Sequence, residues 1–354
     1  MPITAGAPAP GFTAPSPVNP RFAFESLGGR YIVLAFLPPP GPERDAAVRL
    51  VQDNADVFTD DQALFFGVLP DAASFAEARN APPLRWFGDA DGDLRRLYAT
   101  SAEDAEAAPP MWVLVDPSLR ILGWRALAQG DELMADLRRF GDPDLHAGAP
   151  LHAPVLIVPR VFERPLCTDL IDFYQKSGGA PSGTMVQRGG KTVGILSNFK
   201  SRRDAKIDDV PLIEACRERL RRRLLPEIAK VFQFQATRIE RYIVARYDAD
   251  DGGWFLPHRD NTTLGTAHRK FAVSINLNGD FEGGDLRFPE FGRRTYRPPP
   301  GGAVVFSCSL LHEATNVTRG TRYAFLPFLY DQAGAEIRAA NLHALDVGEP
   351  ATAD

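Results

Sequence analysis

Two continuous apolar runs mark the first part of the chain, at residues 31–37 and 64–69. Their short length and lack of polar positions are typical of strands that are buried on both faces. Residues 43–58 and 71–80 follow these runs with apolar residues at helical spacing, and Asp71 is placed to cap the second helix. Strands that alternate with helices of this length pair in parallel, so this part predicts an α/β domain.

Weaker signals set the limits of this domain. Residues 1–20, rich in Pro, Ala and Gly, predict an extended entry segment. Residues 111–116 and 121–124 predict a hairpin, and residues 130–140 predict a closing helix. Residues 141–154 hold three prolines and little apolar periodicity, which indicates a domain boundary. Because 354 residues exceed one ordinary core, we predict domains at 1–145 and 151–335 and a C-terminal tail at 336–354.

The pattern beyond the boundary changes from helices to strands. Residues 155–158 predict a strand, residues 166–174 a helix and residues 210–232 a long amphipathic helix, while Gly189-Gly190 predicts a hairpin tip. After Arg238, short runs rich in β-branched and aromatic residues are separated by Gly and Pro clusters. These runs are residues 241–247, 271–277, 286–288, 303–306 and 322–330. Regularly spaced strands of this kind indicate a sandwich or jelly roll.

Composition narrows the classes of protein. The chain is 44% apolar and 24% charged, as in soluble globular proteins, and no run approaches the roughly 20 apolar residues that span a bilayer. The N-terminus has no basic segment leading into an apolar one, so we expect a cytoplasmic location and no membrane partner. A net charge of -5 argues against a nucleic-acid partner. Cys167, Cys216 and Cys308 are odd in number and widely spaced, so they predict neither disulfides nor a zinc site.

Candidate metal ligands occur among the predicted strands. His258 and Asp260 are two positions apart, which places both side chains on one face of a strand. His312 supplies a second imidazole, and two imidazoles with one carboxylate suit a non-haem Fe(II) with open positions. Arg322 offers a planar fork for the far carboxylate of a 2-oxo acid. A single histidine is more often structural, so the prediction depends on the four residues occurring together in this order.

Residues 6–140 resemble a peroxiredoxin of the thioredoxin fold. The matching stretches are Gly6-Ala7-Pro8-Ala9-Pro10-Gly11-Phe12, Phe36-Leu37-Pro38, Asp89-Ala90-Asp91-Gly92 and Val115-Asp116-Pro117. Pro109-Pro110 also falls where thioredoxin-like folds often hold a cis proline. The family's catalytic loop ends in a reactive cysteine, but here Asp45 takes that place and no cysteine precedes Cys167. We therefore expect a fold kept for packing or docking, without thiol peroxidase chemistry.

Residues 151–331 resemble an Fe(II)/2-oxoglutarate dioxygenase of the prolyl 4-hydroxylase type. The matching stretches are Arg246-Tyr247, His258-Arg259-Asp260, Ser274-Ile275-Asn276-Leu277-Asn278, Phe281 to Phe288, Pro300 to Phe306, His312-Glu313 and Val317 to Tyr323. The resemblance implies a double-stranded β-helix, or jelly roll, with flanking helices. It implies iron binding by His258, Asp260 and His312, and a contact of Arg322 with the 2-oxoglutarate carboxylate. It also places Tyr247 and Asn276 in the cosubstrate pocket and points Arg269 toward the primary substrate.

The same resemblance implies a reaction. Fe(II), 2-oxoglutarate and O2 would be required, with ascorbate as a further cofactor, and the co-products would be succinate and CO2. The enzyme would hydroxylate an unactivated C–H bond of an amino-acyl, prolyl-type side chain in a protein, a peptide or a free amino acid. Asp260 favours hydroxylation, since relatives that halogenate lack this carboxylate. One alternative is a non-catalytic jelly roll that senses iron or 2-oxoglutarate, with the thioredoxin-like part docking a protein. The sequence predicts neither the substrate's identity nor the oligomeric state.

Overall fold

The chain divides into two compact units. The computed structural model describes residues 2–101, 109–346 and 351–352. One unit comprises Met1–Ala153 with Pro289–Arg293, and the other comprises Pro154–Phe288 with Arg294–Asp354. The grouping of Pro289–Arg293 with the first unit has no signal in the sequence. No helix in the described part of the chain is both long and apolar enough to cross a membrane.

The first unit is built on one mixed sheet. Its elements are β1 (Thr13–Ser16), β2 (Asn19–Ala23), β3 (Tyr31–Phe36), α1 (Pro42–Asp53), β4 (Ala63–Leu69), α2 (Ala72–Glu77), β5 (Trp86–Gly88), α3 (Asp93–Leu97), β6 (Met111–Val115), β7 (Ile121–Ala126) and α4 (Gly130–Arg139). Five strands pair in the order β5-β4-β3-β6-β7. β3, β4 and β5 run parallel, and every residue of β3 and β4 is buried, so the predicted parallel pairing of two apolar strands is confirmed.

Three predictions for the first unit need correction. The extended entry segment is wrong from Thr13 onward, because β1 and β2 form an antiparallel hairpin whose Ala14 packs into the core. The second helix ends at Glu77, before the predicted residue 80, although Asp71 does cap it by accepting a hydrogen bond from the N–H of Ser74. The cis peptide bond found in the described residues joins Pro82 to Pro83 and does not lie between Pro109 and Pro110.

The second unit is mainly β. Its elements are β8 (Leu156–Val158), α5 (Arg164–Ser177), β9 (Ala180–Pro181), β10 (Thr184–Arg188), β11 (Lys191–Leu196), β12 (Lys200–Ser201), β13 (Arg203–Lys206), α6 (Val210–Arg219), α7 (Leu225–Phe232), β14 (Arg238–Glu240), β15 (Ile243–Asp248), β16 (Trp254–His258), β17 (Phe271–Asn276), β18 (Glu282–Gly283), β19 (Leu286–Arg287), β20 (Thr295–Tyr296), β21 (Ala303–Ser307), β22 (His312–Ala314), β23 (Val317–Arg319), β24 (Thr321–Phe325), β25 (Phe328–Tyr330), α8 (Gln332–Asn341) and β26 (Ala351–Thr352).

Two sheets of this unit carry the residues of interest. A nine-stranded sheet contains β14-β25-β17-β24-β15-β13-β9, with β21 and β8 joined beside β17. A five-stranded sheet has the order β12-β16-β22-β19-β20. Apolar side chains of α5, α6 and α7 pack with those of the larger sheet in one core cluster. The prediction of an α/β part followed by a mainly β part is confirmed at this level, while the thioredoxin-like and jelly-roll assignments stay predictions.

Two helices differ from the sequence prediction. The long helix at 210–232 is interrupted by a π-helical turn at Leu220–Leu224 between α6 and α7. Pro226, in the first turn of α7, has no N–H to donate, so a regular α-helical ladder cannot continue through it. Within and before the predicted tail at 336–354, Gln332–Asn341 forms α8 with Asp331 as its N-cap, a helix that the sequence did not predict.

Candidate metal centre

Adjacent strands of the five-stranded sheet bring three potential ligands together. His258 ends β16, Asp260 follows two residues later, and His312 begins β22, where it lies opposite His258 in the antiparallel register. The potential ligand atoms of these three residues all lie within 4.8 Å of one another. Asp260 Oδ1 is 3.6 Å from His258 Nε2, and its Oδ2 is 3.3 Å from His312 Nε2. Such a spacing lets one ion contact all three side chains.

The outer nitrogen of each imidazole is already bound. His258 Nδ1 is 2.7 Å from the Leu256 carbonyl oxygen, and His312 Nδ1 is 3.0 Å from the Leu310 carbonyl oxygen. A carbonyl oxygen only accepts, so each Nδ1 carries the proton and donates it. Each Nε2 therefore presents a lone pair on the side of Asp260, as a metal ligand must. The donor set and its tautomers thus fit a divalent iron.

Aromatic side chains hold the two imidazoles in place. The Phe255 ring stacks on the His258 ring with centroids 3.4 Å apart and planes 21° apart. The Phe306 and Phe288 rings lie 4.6 and 6.2 Å from the His312 ring. Because His312 is only 5% exposed, these contacts leave it little rotational freedom. The rings therefore keep the site in one arrangement and limit the access of water.

Burial also sets the protonation states in the site. Burial, followed by the charge of His312, lowers the pKa of His258 to about 4, so this imidazole is neutral at pH 7. Burial works to raise the pKa of Asp260, but the neighbouring imidazoles, His312 foremost, outweigh it and hold that pKa well below its usual range. The site therefore offers a neutral imidazole and an ionised carboxylate without first releasing a proton.

A buried arginine on the larger sheet has no carboxylate partner. Arg322, on β24, is 2% exposed, and its Nε and Nη2 donate to Asn276 Oδ1 at 3.0 Å and Ser274 Oγ at 2.8 Å. Within the described residues, no carboxylate lies within the 4.0 Å ion-pair distance of its guanidinium. Burial lowers the pKa of Arg322, which reflects the cost of leaving this charge uncompensated. An anionic ligand would offset that cost.

Gly284 leaves room for the stem of this arginine. Its φ of +66° lies in the left-handed region, and a Cβ there would stand 2.7 Å from Val317 Cγ2 and 3.3 Å from Arg322 Cδ. A side chain at this position would therefore be strained and would crowd Arg322. A glycine between β18 and β19 therefore leaves space for the side chain of Arg322.

Tyr247 and Asn276, two predicted cosubstrate residues, both contact the surroundings of Arg322. Tyr247 lies opposite Arg322 in the β15–β24 register, and its ring centroid is 5.2 Å from the guanidinium carbon. Its hydroxyl accepts a hydrogen bond from Arg202 Nη1 at 3.3 Å. Asn276 donates through Nδ2 to the Pro298 carbonyl at 3.0 Å, which fixes the oxygen that Arg322 uses. The structure thus brings these three residues together.

Arg269 has neighbours other than those expected. Its Nε and Nη2 donate to the two carboxylate oxygens of Glu240 at 2.9 and 2.6 Å, and its Nη1 donates to the Asp260 carbonyl at 3.3 Å. The Phe328 ring covers the guanidinium at 4.0 Å. Glu240 thus neutralises the charge of Arg269, and the orientation of Arg269 toward a primary substrate stays a prediction. We interpret Arg269 as a positioning residue that holds the main chain of Asp260.

Four charged residues near the site were not predicted. Lys200, Arg202 and Asp204 follow one another at every second position, and Glu240 ends β14. The alternation is a signal, because side chains two positions apart in extended chain share one face. Charged residues on a buried face are unusual, but the sequence alone does not show that this face is buried. Glu240 had no signal, since its partners Arg269 and His268 lie far along the chain.

No protein-family model matches the chain. Among curated proteins, it is 28% identical over 145 residues to a PKHD-type hydroxylase of Maricaulis maris, covering 38% of this chain and 62% of the relative. It is 27% identical over 136 residues to a PKHD-type hydroxylase of Nitrobacter winogradskyi, covering 35% of this chain and 59% of the relative. The chain therefore spans less than two thirds of either relative.

Similar solved structures include two prolyl hydroxylases. A prolyl-4-hydroxylase of Pseudomonas putida is 17% identical with a TM-score of 0.40, covering 53% of this chain and 96% of that one. A prolyl hydroxylase of Trichoplax adhaerens, in complex with a peptide fragment of hypoxia inducible factor, is 17% identical with a TM-score of 0.40, covering 56% and 89%.

Proposed function

We propose that this protein is an Fe(II)- and 2-oxoglutarate-dependent dioxygenase that hydroxylates an unactivated C–H bond. The substrate would be an amino-acyl, prolyl-type side chain in a protein, a peptide or a free amino acid, and the co-products would be succinate and CO2. The observation that carries the proposal is the convergence of His258, Asp260 and His312 on one point. Two imidazoles and one carboxylate leave the other positions of an iron open to ligands.

In this proposal each residue of the candidate site has a separate role. His258 and His312 present Nε2, Asp260 presents its carboxylate, and Arg322 binds the distal carboxylate of 2-oxoglutarate through its planar fork. Iron supplies the oxidative chemistry that couples decarboxylation of the 2-oxo acid to hydroxylation. Phe255 and Phe306 restrict water at the histidines, which protects a reactive site. Tyr247 covers one face of the Arg322 guanidinium and forms part of the cosubstrate pocket.

Formation of succinate tests this function. Protein loaded with Fe(II) is expected to convert 2-oxoglutarate to succinate in air, slowly without a primary substrate, and His312→Ala is expected to reduce the rate at least a hundredfold. The loss follows because two ligands do not hold iron in the arrangement that three provide. His343→Ala is the matched control, since this exposed imidazole bonds to the Ala340 carbonyl oxygen and is not one of the three candidate ligands. Equal rates for wild type and His312→Ala would contradict the assignment.

A further inference from the structure

A second group of charged side chains lies one aromatic ring away from the candidate metal centre. Lys200 Nζ and Arg202 Cζ lie 4.7 and 5.9 Å from the centroid of the Phe255 ring. Phe255 in turn stacks on His258. Arg202 also lies 5.7 Å from the Tyr247 ring, whose other neighbour is Arg322. The group therefore adjoins both the metal ligands and the cosubstrate pocket.

The charges of this region do not balance. The five cations are Lys200, Arg202, Arg241, Arg269 and Arg322, and the carboxylates besides Asp260 are Asp204 and Glu240. Asp204 pairs with Arg202 at 2.6 Å, and Glu240 pairs with Arg269. In the described part of the chain, Lys200, Arg241 and Arg322 have no carboxylate within 4.0 Å. If Arg322 binds 2-oxoglutarate, Lys200 and Arg241 still lack a carboxylate, and the region can accept another anionic group.

Lys200 shows the cost of this excess. It is half-buried, and it donates to Ser182 Oγ at 2.7 Å and to the Gly183 carbonyl at 3.0 Å, neither of which carries a charge. Burial, and then the nearby charge of Arg202, lower its pKa well below the usual value. A carboxylate beside Lys200 would compensate the ammonium charge and so offset the lowering of its pKa.

In the described structure, one hydrogen-bond donor and one hydrogen-bond acceptor of this charged group lack hydrogen-bond partners. Arg202 is 7% exposed, and its Nε is a buried donor without a hydrogen bond in the described structure. Asp204 Oδ1 is a buried acceptor that also lacks one, although Asp204 Oδ2 is bound to Arg202 and Ser182. A buried polar atom without a partner destabilises the folded state. A ligand that carries both an anionic and a cationic group would satisfy the donor and the acceptor together.

We infer that Lys200 and Arg202 bind the α-carboxylate, and Asp204 the α-ammonium, of a free amino acid that serves as the primary substrate. A residue inside a protein chain carries neither charge, so it would leave the ammonium group of Lys200 without a carboxylate. This inference rests on the proposed function, and it selects one of the substrate classes that the function allows.

Two matched substrate pools test the inference on the full-length, iron-loaded protein. One pool holds the free proteinogenic L-amino acids, and the other holds the same residues as N-acetyl amides, which mimic internal positions of a peptide. Mass spectrometry is expected to find a product with one added oxygen atom from the free pool alone. Product from the N-acetyl amides, or from neither pool, overturns the inference. Succinate formed before any pool is added reports the proposed function separately.

Charge variants locate the binding groups. Lys200→Gln is expected to raise the KM for the free amino acid at least tenfold, because a charged hydrogen bond is lost, and Lys200→Arg is expected to restore part of it. Lys206→Gln, an exposed residue of β13, is the matched control. Without iron, the pool of free amino acids is expected to raise the melting temperature of wild type and not that of Lys200→Gln. A cooperative melting transition in Lys200→Gln also shows that the variant folds. An unchanged KM in Lys200→Gln overturns the inference.

Discussion

Buried carboxylates are satisfied in different ways in the two units. In the first unit, Asp89 accepts hydrogen bonds from the N–H groups of Leu94 and Arg95 at 2.8 and 3.0 Å. Asp116 accepts from N–H groups two and four residues further along the chain, each at 2.9 Å. Both carboxylates therefore close a local turn, and nothing about them requires a ligand.

In the second unit, several of the buried charges meet across strands that are distant in sequence. Asp260 faces His258 and His312, Glu240 pairs with Arg269, and Arg322 is buried without a carboxylate. Carboxylates that accept hydrogen bonds from nearby N–H groups stabilise the fold. Buried charges that come together from distant strands and lack a partner of opposite charge indicate a ligand-binding site. Buried charge alone therefore does not mark a site; the partners of that charge do.

Among the charged residues, the largest expected effect on activity is at Arg322. Arg322→Gln is expected to raise the 2-oxoglutarate concentration for half-maximal succinate formation by about 100-fold, because a bidentate charged contact is lost. Arg319→Gln is the matched control, since Arg319 is exposed and pairs with Glu282 at the surface. Steady-state rates of succinate formation provide the measurement. A change of less than threefold in Arg322→Gln would mean that the Arg322 guanidinium binds a group other than 2-oxoglutarate.

The next effect is on stability and is expected at the paired charges Glu240 and Arg269. Glu240→Gln leaves Arg269 uncompensated, so the free energy of unfolding is expected to fall by about 3 kcal/mol at pH 7. Burial works to raise the pKa of Glu240, but the charge of Arg269 outweighs it and holds that pKa well below its usual range. Because the folded-state pKa is lowered, this stabilisation is present above the unfolded pKa of about 4.3 and is lost as the pH falls below it.

Urea unfolding at pH 7 and at pH 4 measures both parts of this prediction. The difference between wild type and Glu240→Gln is expected to shrink at pH 4, where the wild type begins to lose the contribution of the ionised carboxylate. Glu214→Gln is the control, because Glu214 forms an exposed pair with Arg217 and is expected to change stability by less than about 0.5 kcal/mol. A loss in Glu240→Gln that is as small as in Glu214→Gln would contradict the buried-pair account.

The smallest expected effect is in the first unit. Asp116→Ala removes the acceptor of a local turn and is expected to reduce the free energy of unfolding by about 2 kcal/mol. Succinate formation at a temperature where the variant is folded is expected to match wild type, since Asp116 makes its hydrogen bonds within the turn. A folded Asp116→Ala protein with lowered turnover would show that the first unit does more than stabilise itself.

The sequence predicted the parts of this molecule that have strong local signals. β3 and β4 are continuous apolar runs, and a run of that kind has few alternatives to a buried strand. The hairpin at Gly189-Gly190 was predicted because a Gly-Gly pair between two strand-like runs favours a tight turn, and in the structure both glycines adopt positive φ. α8 was missed because its sequence, rich in Ala and with Ile337 as its large apolar residue, has a weak apolar periodicity.

The candidate site divides in the same way. His258, Asp260, His312 and Arg322 were predicted because their residue types, order and positions on strands are specific together. Arg269 was predicted in a different role, since its partner Glu240 lies 29 positions away and no local pattern joins them. Contacts of this kind depend on how strands are arranged in the sheet, and a single sequence does not contain that arrangement.

The most direct measurement is anaerobic. Fe(II) and then 2-oxoglutarate are added to metal-free protein, and the visible spectrum is examined for the weak charge-transfer band of a chelated 2-oxo acid, with metal content measured independently. The band is expected in wild type and is expected to be absent in His312→Ala, because three ligands from the chain must hold the iron. Wild-type protein that binds iron but shows no band on adding 2-oxoglutarate would contradict the assignment of the cosubstrate and with it the proposed function.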